Sequence, residues 1–282
     1  MRVRPPAWGP LARLWLRLGA GLGVVAFALG IRRRVALENL ARAFPGAPDL
    51  ARLARAAYAQ LGRSLAELWL VRRLPDVALE KLVHLQGWDA FAAAYAQGHG
   101  AVVALGHFGN WELLGRAASR RGVAITAITR ALRGGFNRRL LAARSEGGLR
   151  ELPEKNSTRA ALEVLRRGET LAVVVDQNMR PKRGVFVDFF GAPACTTPAA
   201  AVFALRAGAP LFAVFPVRQP DGTHVVEIEG PFSTKLAGHA AVLDLTQQLT
   251  AAVERAVRAH PAHWFWVHRR WKTRPAPPGE AR

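Results

Sequence analysis

From Val35 to about Leu74 apolar residues recur at helical spacing, interrupted at Phe44-Pro45-Gly46, and this predicts two successive helices with Trp69 and Leu70 near the end of the second. From Gly100 onward the period changes. AVVALG (101–106) is a short apolar run of strand type, followed by a His-Phe-Gly-Asn turn and a helix from about Trp111 to Arg121. VAITAI (123–128) and TLAVVVD (170–176) predict two more strands, with helices at 136–144 and 157–167 between them. GVFVDFFG carries a further short strand, and Pro198 sits in the first turn of a following helix. The segments 209–217 and 224–230 predict strands around a Pro-Asp-Gly turn, and an amphipathic helix covers 240–259. Strands alternating with helices predict an α/β fold, a mixed sheet covered by helices. The Pro-rich tail after Arg274 predicts a flexible end at 276–282.

The N-terminal pattern is different. LGAGLGVVAFALGI (18–31) is uncharged, and acidic residues are absent before Glu38. The run is shorter than the ~20 residues that cross ~30 Å of hydrocarbon, but it extends back to Trp8 if Arg13 and Arg17, one helical turn apart, snorkel from one face. It ends in Arg32-Arg33-Arg34 rather than in a small-residue cleavage site, which favours an uncleaved anchor or interfacial helix over residues 1–34. The triple Arg on its far side favours a cytoplasmic body, residues 35–275. Gly19, Gly21 and Gly23 lie inside this segment with no strand before them, so they are not a dinucleotide fingerprint.

Composition narrows the functional classes. Among 282 residues, 40 Lys and Arg against 20 Asp and Glu give a net charge of +20, but only five of the 40 are Lys. Part of the excess is therefore Arg-rich composition, and no nucleic-acid motif accompanies it; no nucleic-acid partner is expected. A single cysteine, Cys195, excludes an intramolecular disulfide framework and any multi-cysteine metal site, and its setting reads as core. HExxH, a Walker A loop and a Gly-x-Ser-x-Gly elbow are absent, so no metal is expected.

The chemistry concentrates in GHFGNWE, at a strand end and helix start. Asn110 is placed to cap the helix, and Glu112 falls in its first turn, where the dipole favours an ionised carboxylate. A carboxylate on one imidazole nitrogen of His107 fixes the tautomer and leaves the other free as a general base. Between Glu112 and Glu146 stand eight arginines and no acid or lysine, which points to an anionic substrate. Of these, Arg130 at a strand end and Arg144 before Glu-Gly-Gly are the ones expected to face the site, whereas Arg120, Arg121 and Arg139 read as solvated. Phe189, Phe190 and Phe203 read as core. The Trp264, Trp266 and Trp271 cluster fits either a bilayer interface or packing against the sheet.

The segments RRVALENLARAFP (33–45), GHFGNWELLG (106–115), VVVDQNMRPKRGVFVDFFGAPACTTPAAAVFALRAGAP (173–210) and HPAHWFWVHRRWK (260–272) together resemble the lipid A biosynthesis acyltransferases, the late lauroyl/myristoyl transferases of Gram-negative inner membranes. The resemblance implies a glycerolipid-acyltransferase-like fold with an N-terminal membrane-anchoring helix. It implies transfer of a fatty acyl chain from an acyl carrier protein thioester, or from coenzyme A, to a hydroxyl of a lipid A precursor on the cytoplasmic face of the inner membrane. No cofactor is implied beyond the thioester co-substrate. His107 would be the general base and Glu112 its orienting partner. Arg144 would stabilise the oxyanion or hold a phosphate, and Asp176 would hold local geometry or a polar substrate group; apart from the resemblance, Arg130 and Asn110 are read from their positions as substrate-binding candidates. A lysophospholipid or another glycolipid is the alternative acceptor. A non-catalytic basic membrane-binding protein is the alternative outside enzymes. Two departures stand out: Thr129 to Gly135 replaces a common Arg-Pro-Leu, and His263 stands where Gln is usual.

Overall fold

The computed structural model describes residues 8–71, 74–129 and 148–276, and for Glu112 the backbone only. The expected helix over 136–144, Arg130, Arg144 and the tail 277–282 lie outside the described residues. The expected helices α2 (Arg33–Ala43) and α3 (Leu50–Val71) are present, preceded by α1 (Pro10–Ala28). The Asp49 carboxylate accepts the Arg52 N–H at 2.8 Å and caps the entry of α3. Three elements escape the period-based reading: α4 (Asp76–Leu82), β1 (Val83–Gln86) and α5 (Trp88–Tyr95). They are only 7, 4 and 8 residues long, too short for a period to register.

Among the described residues the body is a seven-stranded sheet in the order β1-β9-β8-β2-β5-β3-β4. Its remaining strands are β2 (Ala101–Leu105), β3 (Ile125–Thr129), β4 (Leu149–Pro153), β5 (Thr170–Val174), β8 (Leu211–Arg218) and β9 (His224–Phe232). All pairs are parallel except β8 with β9, joined through the expected turn, where Gly222 adopts φ +87°. The strand of GVFVDFFG is β6 (Val185–Phe189), and it forms a separate hairpin with β7 (Ala192–Thr196).

Successive residues of β2 serve two cores. Val102 and Ala104 pack on one face with α7 (Thr158–Arg166), α8 (Ala199–Ala207) and α9 (Gly238–Ala259), whereas Ala101 and Val103 pack on the other with α4, α5 and α6 (Glu112–Ser119). Central parallel strands are buried on both faces, which is why they read as continuous apolar runs. Phe189, Phe190, Phe203 and Cys195 are core residues as expected. Trp264, Trp266 and Trp271 are also buried, so this cluster packs the chain end against the body rather than meeting a bilayer.

Helix α1 lies along α3 through small residues. A Cβ on Gly23 would come within 2.0 Å of the Tyr58 carbonyl oxygen, and one on Gly62 within 2.1 Å of the Gly19 carbonyl oxygen. The glycines thus allow backbone-to-backbone contact, which any larger side chain would break. The opposite side of α1 exposes Leu11, Leu14, Leu18, Leu22, Val25 and Leu29, one continuous stripe at helical spacing.

Candidate active site

Parallel register builds the site. Leu105 of β2 pairs with Val174 of β5, so the residues two positions beyond each, His107 and Asp176, leave the sheet side by side at its carboxyl edge. The His107 N–H donates to Asp176 Oδ2 at 2.6 Å, and its ring Nδ1 lies 2.8 Å from Oδ1. Trp264 Nε1–H donates to Oδ2 at 2.8 Å. The carboxylate therefore receives three hydrogen bonds in a nearly dry setting. Burial pushes Asp176 upward, but His107 and the indole hold it below the usual carboxylate range. Burial likewise pulls His107 down, and the Asp176 charge more than offsets it, leaving the imidazole above its ordinary value.

With Nδ1–H committed to Asp176, Nε2 carries the free lone pair. It faces the Gln177 side-chain amide at 3.2 Å. Beside the ring lies a narrow cleft with a cavity volume of about 20 Å³. Its walls are α3, at Ala57, Leu61 and Ser64, and the 263–267 segment, at Phe265, Trp266 and Val267. Phe265 and Trp111 stand beside the imidazole with ring centres 5.8 Å and 5.3 Å away.

The turn that carries His107 is held closely. Its carbonyl accepts the Phe265 N–H at 3.0 Å, and Gly109 N–H donates to the His263 carbonyl at 2.8 Å. Gly109 adopts φ +57°, and a Cβ there would lie 1.8 Å from the Pro216 carbonyl oxygen, so only glycine fits. Behind the turn, Arg270 is buried over the Phe189 ring and donates to the Cys195 carbonyl at 3.0 Å. Burial lowers its pKa to about 10, so it stays cationic at neutral pH.

Several expected roles fall differently. Nδ1 of His107 pairs with Asp176; Glu112, the expected orienting partner, opens α6 as predicted, and its side chain lies outside the described residues. Arg130 and Arg144 also lie outside them. Asn110 neither caps α6 nor faces the cleft. It is buried, and its amide donates to Glu67 Oε2 at 2.7 Å, because a deeper carboxylate is the stronger acceptor. Glu67, Gln177 and the Trp264 indole were not anticipated. A signal for Glu67 exists: Gln60, Ser64 and Glu67 fall at helical spacing on the side of α3 otherwise lined by Ala54, Ala57 and Val71.

A family model described as "Bacterial lipid A biosynthesis acyltransferase" matches residues 11–273. The chain belongs to this family. Among relatives of the family member, a lipid A biosynthesis palmitoleoyltransferase of Escherichia coli (strain K12) is 26% identical, the match covering 95% of this chain and 91% of the relative. A lipid A biosynthesis lauroyltransferase of the same strain is 26% identical over 95% of this chain and 92% of its own. A phosphatidylinositol mannoside acyltransferase of Mycobacterium tuberculosis (strain ATCC 25618 / H37Rv) is 30% identical over 83% of this chain and 75% of its own. The protein is an acyltransferase of the lipid A biosynthesis family, and the His107 turn and Asp176 both fall within the matched span.

Proposed function

We propose that this acyltransferase moves a fatty acyl chain from an acyl carrier protein thioester to a hydroxyl of a lipid A precursor, with His107 as general base. The observation that carries the reading is the Nδ1 pairing of His107 with buried Asp176, which leaves Nε2, beside the Gln177 amide, as the free ring nitrogen of a residue that lines an apolar cleft. The acceptor hydroxyl gives its proton to Nε2 as its oxygen bonds to the thioester carbonyl carbon. The tetrahedral intermediate then collapses, the carbon–sulfur bond breaks, and the imidazolium returns the proton to the departing thiolate. Asp176 favours the imidazolium that forms between these steps. Arg144 is proposed for the oxyanion or a phosphate, as the resemblance implies, and Arg130, from its place at a strand end, for substrate; no cofactor enters.

Membrane association is part of the proposal. Helix α1 is long and apolar enough to cross a bilayer by length and composition. Yet its glycine face is sealed on α3, and α3 carries Glu67 and Gln60 into the body. A stripe of exposed Leu with Arg13 and Arg17 on its flank suits a helix lying in the headgroup boundary, at the inner membrane with the body on the cytoplasmic face. The second reading keeps the chemistry and changes the acceptor to another glycolipid, favoured by the 30% identity to a phosphatidylinositol mannoside acyltransferase.

The test supplies labelled acyl carrier protein thioester and a tetra-acylated lipid A precursor to purified membranes, with wild type beside His107→Ala. Labelled lipid A lost in the variant supports the reading. Label appearing instead in other glycolipids moves the acceptor, and no transfer to any lipid overturns it.

A further inference from the structure

We propose that Glu67 is a positioning residue for the His107 turn, acting through Asn110; this rests on His107 as the base of acyl transfer. Glu67 is wholly buried in α3, far from the cleft's reacting end in sequence yet directly beneath the turn. Its Oε1 contacts the Arg218 guanidinium and lies 3.1 Å from His224 Nε2, while Oε2 accepts the Asn110 amide at 2.7 Å. Arg218 ends β8, and its N–H donates to His263 Nε2 at 3.2 Å. One carboxylate oxygen is thus fixed by groups of the sheet, and this fixes the direction of the other.

The turn has tethers on two sides. On the sheet side are the Asp176, Phe265 and His263 contacts already described. On the α3 side are Glu67 on Asn110 and, one helical turn earlier, Ser64 Oγ on the Gly109 carbonyl at a long 3.4 Å. Apolar packing holds α3 to the sheet as well as an ion pair does. It cannot orient an amide. The Asn110 tether sets how far the turn stands from α3, and α3 is one wall of the cleft in which the thioester must meet Nε2. Positioning of this kind acts on turnover rather than on binding.

Asn110→Ala removes the tether and leaves the Glu67–Arg218 pair in place, and Glu67→Gln with the double variant completes a cycle. The expected result is a kcat for acyl transfer lowered roughly 10- to 100-fold in Asn110→Ala, with KM for the thioester held within about twofold. The acid limb of the kcat profile stays where it is, because Asp176 still holds Nδ1. Glu67→Gln lowers kcat alone but adds nothing in the Asn110→Ala background. Hydrogen exchange of the amides at 106–110 speeds up in Asn110→Ala while that of β5 is unchanged. If Asn110→Ala does not fold, Asn110→Ser carries the same expectations. Full kcat in the single variants, multiplying effects in the double, a moved acid limb or unaltered exchange would each overturn the proposal. The exchange experiment needs no turnover, so a wild-type protein that transfers no acyl group defeats the functional reading alone.

Discussion

His107 meets Asp176 at 2.8 Å and His224 meets Glu67 at 3.1 Å, but the two imidazoles are driven in opposite directions. At His107 the carboxylate faces the ring without a competing ion pair, and the pKa rises. At His224 burial is complete and Arg218 contacts the same carboxylate oxygen; burial first, then the Arg218 charge, lowers the pKa to about 3. The same kind of imidazole–carboxylate pair therefore gives a raised pKa at the cleft and a lowered one beneath it. Access and the neighbouring cation make the difference, not the pair itself.

The largest expected separation between the two regions is catalytic. His107→Ala should lower acyl transfer by roughly 10³- to 10⁴-fold while lowering the thermal midpoint less than Glu67→Ala does, read by transfer assay and circular dichroism on one preparation. A comparable loss of fold would merge the two regions into one structural core.

Glu67→Ala should act most strongly on the fold, costing about 3–5 kcal/mol in denaturant unfolding, because Arg218 is left buried without its carboxylate. An unchanged urea midpoint would mean that the lower hub contributes nothing to the fold.

Asp176→Asn sharpens the contrast at the cleft. An asparagine amide donates to Nδ1 and so places the imidazole proton on Nε2, the wrong tautomer for a base. We expect kcat to fall by about 10²-fold and the remaining activity to show its acid limb at lower pH, since the charge that raised His107 is gone. A limb that stays in place would exclude Asp176 as the source of the shift.

A further contrast lies in stability against pH. His224 and His263 have folded pKa values of about 3 and about 4, both lowered first by burial. The unfolded chain takes up their protons as pH falls through ~6.5, and the folded chain does so only near the lower values. Their contribution is therefore complete above ~6.5 and is lost as pH falls towards 4, by up to about 1.4 kcal/mol per pH unit for each. His107, with its raised value, runs the other way: its contribution is present below ~6.5 and is lost as pH rises through the folded value. Urea midpoints from pH 8 to pH 4 should show a decline below ~6.5 that His263→Gln reduces.

What the sequence determined by itself is local. The apolar runs at 101–106 and 170–176 became the central strands, His107 came at a strand end before a helix, and the α1 segment was visible as an uncharged apolar run. These rest on neighbours a few residues apart, where periodicity and turn chemistry act. Tertiary structure decided the partners. Asp176 reaches His107 across 69 positions because β2 and β5 pair in one register, and the local candidate Glu112, only five residues on, gave no hint of it. Asn110 read as a cap and became a strut because Glu67, 43 positions earlier, was brought beneath it. A short polar side chain takes the strongest acceptor within reach, and only the packed chain sets what is within reach.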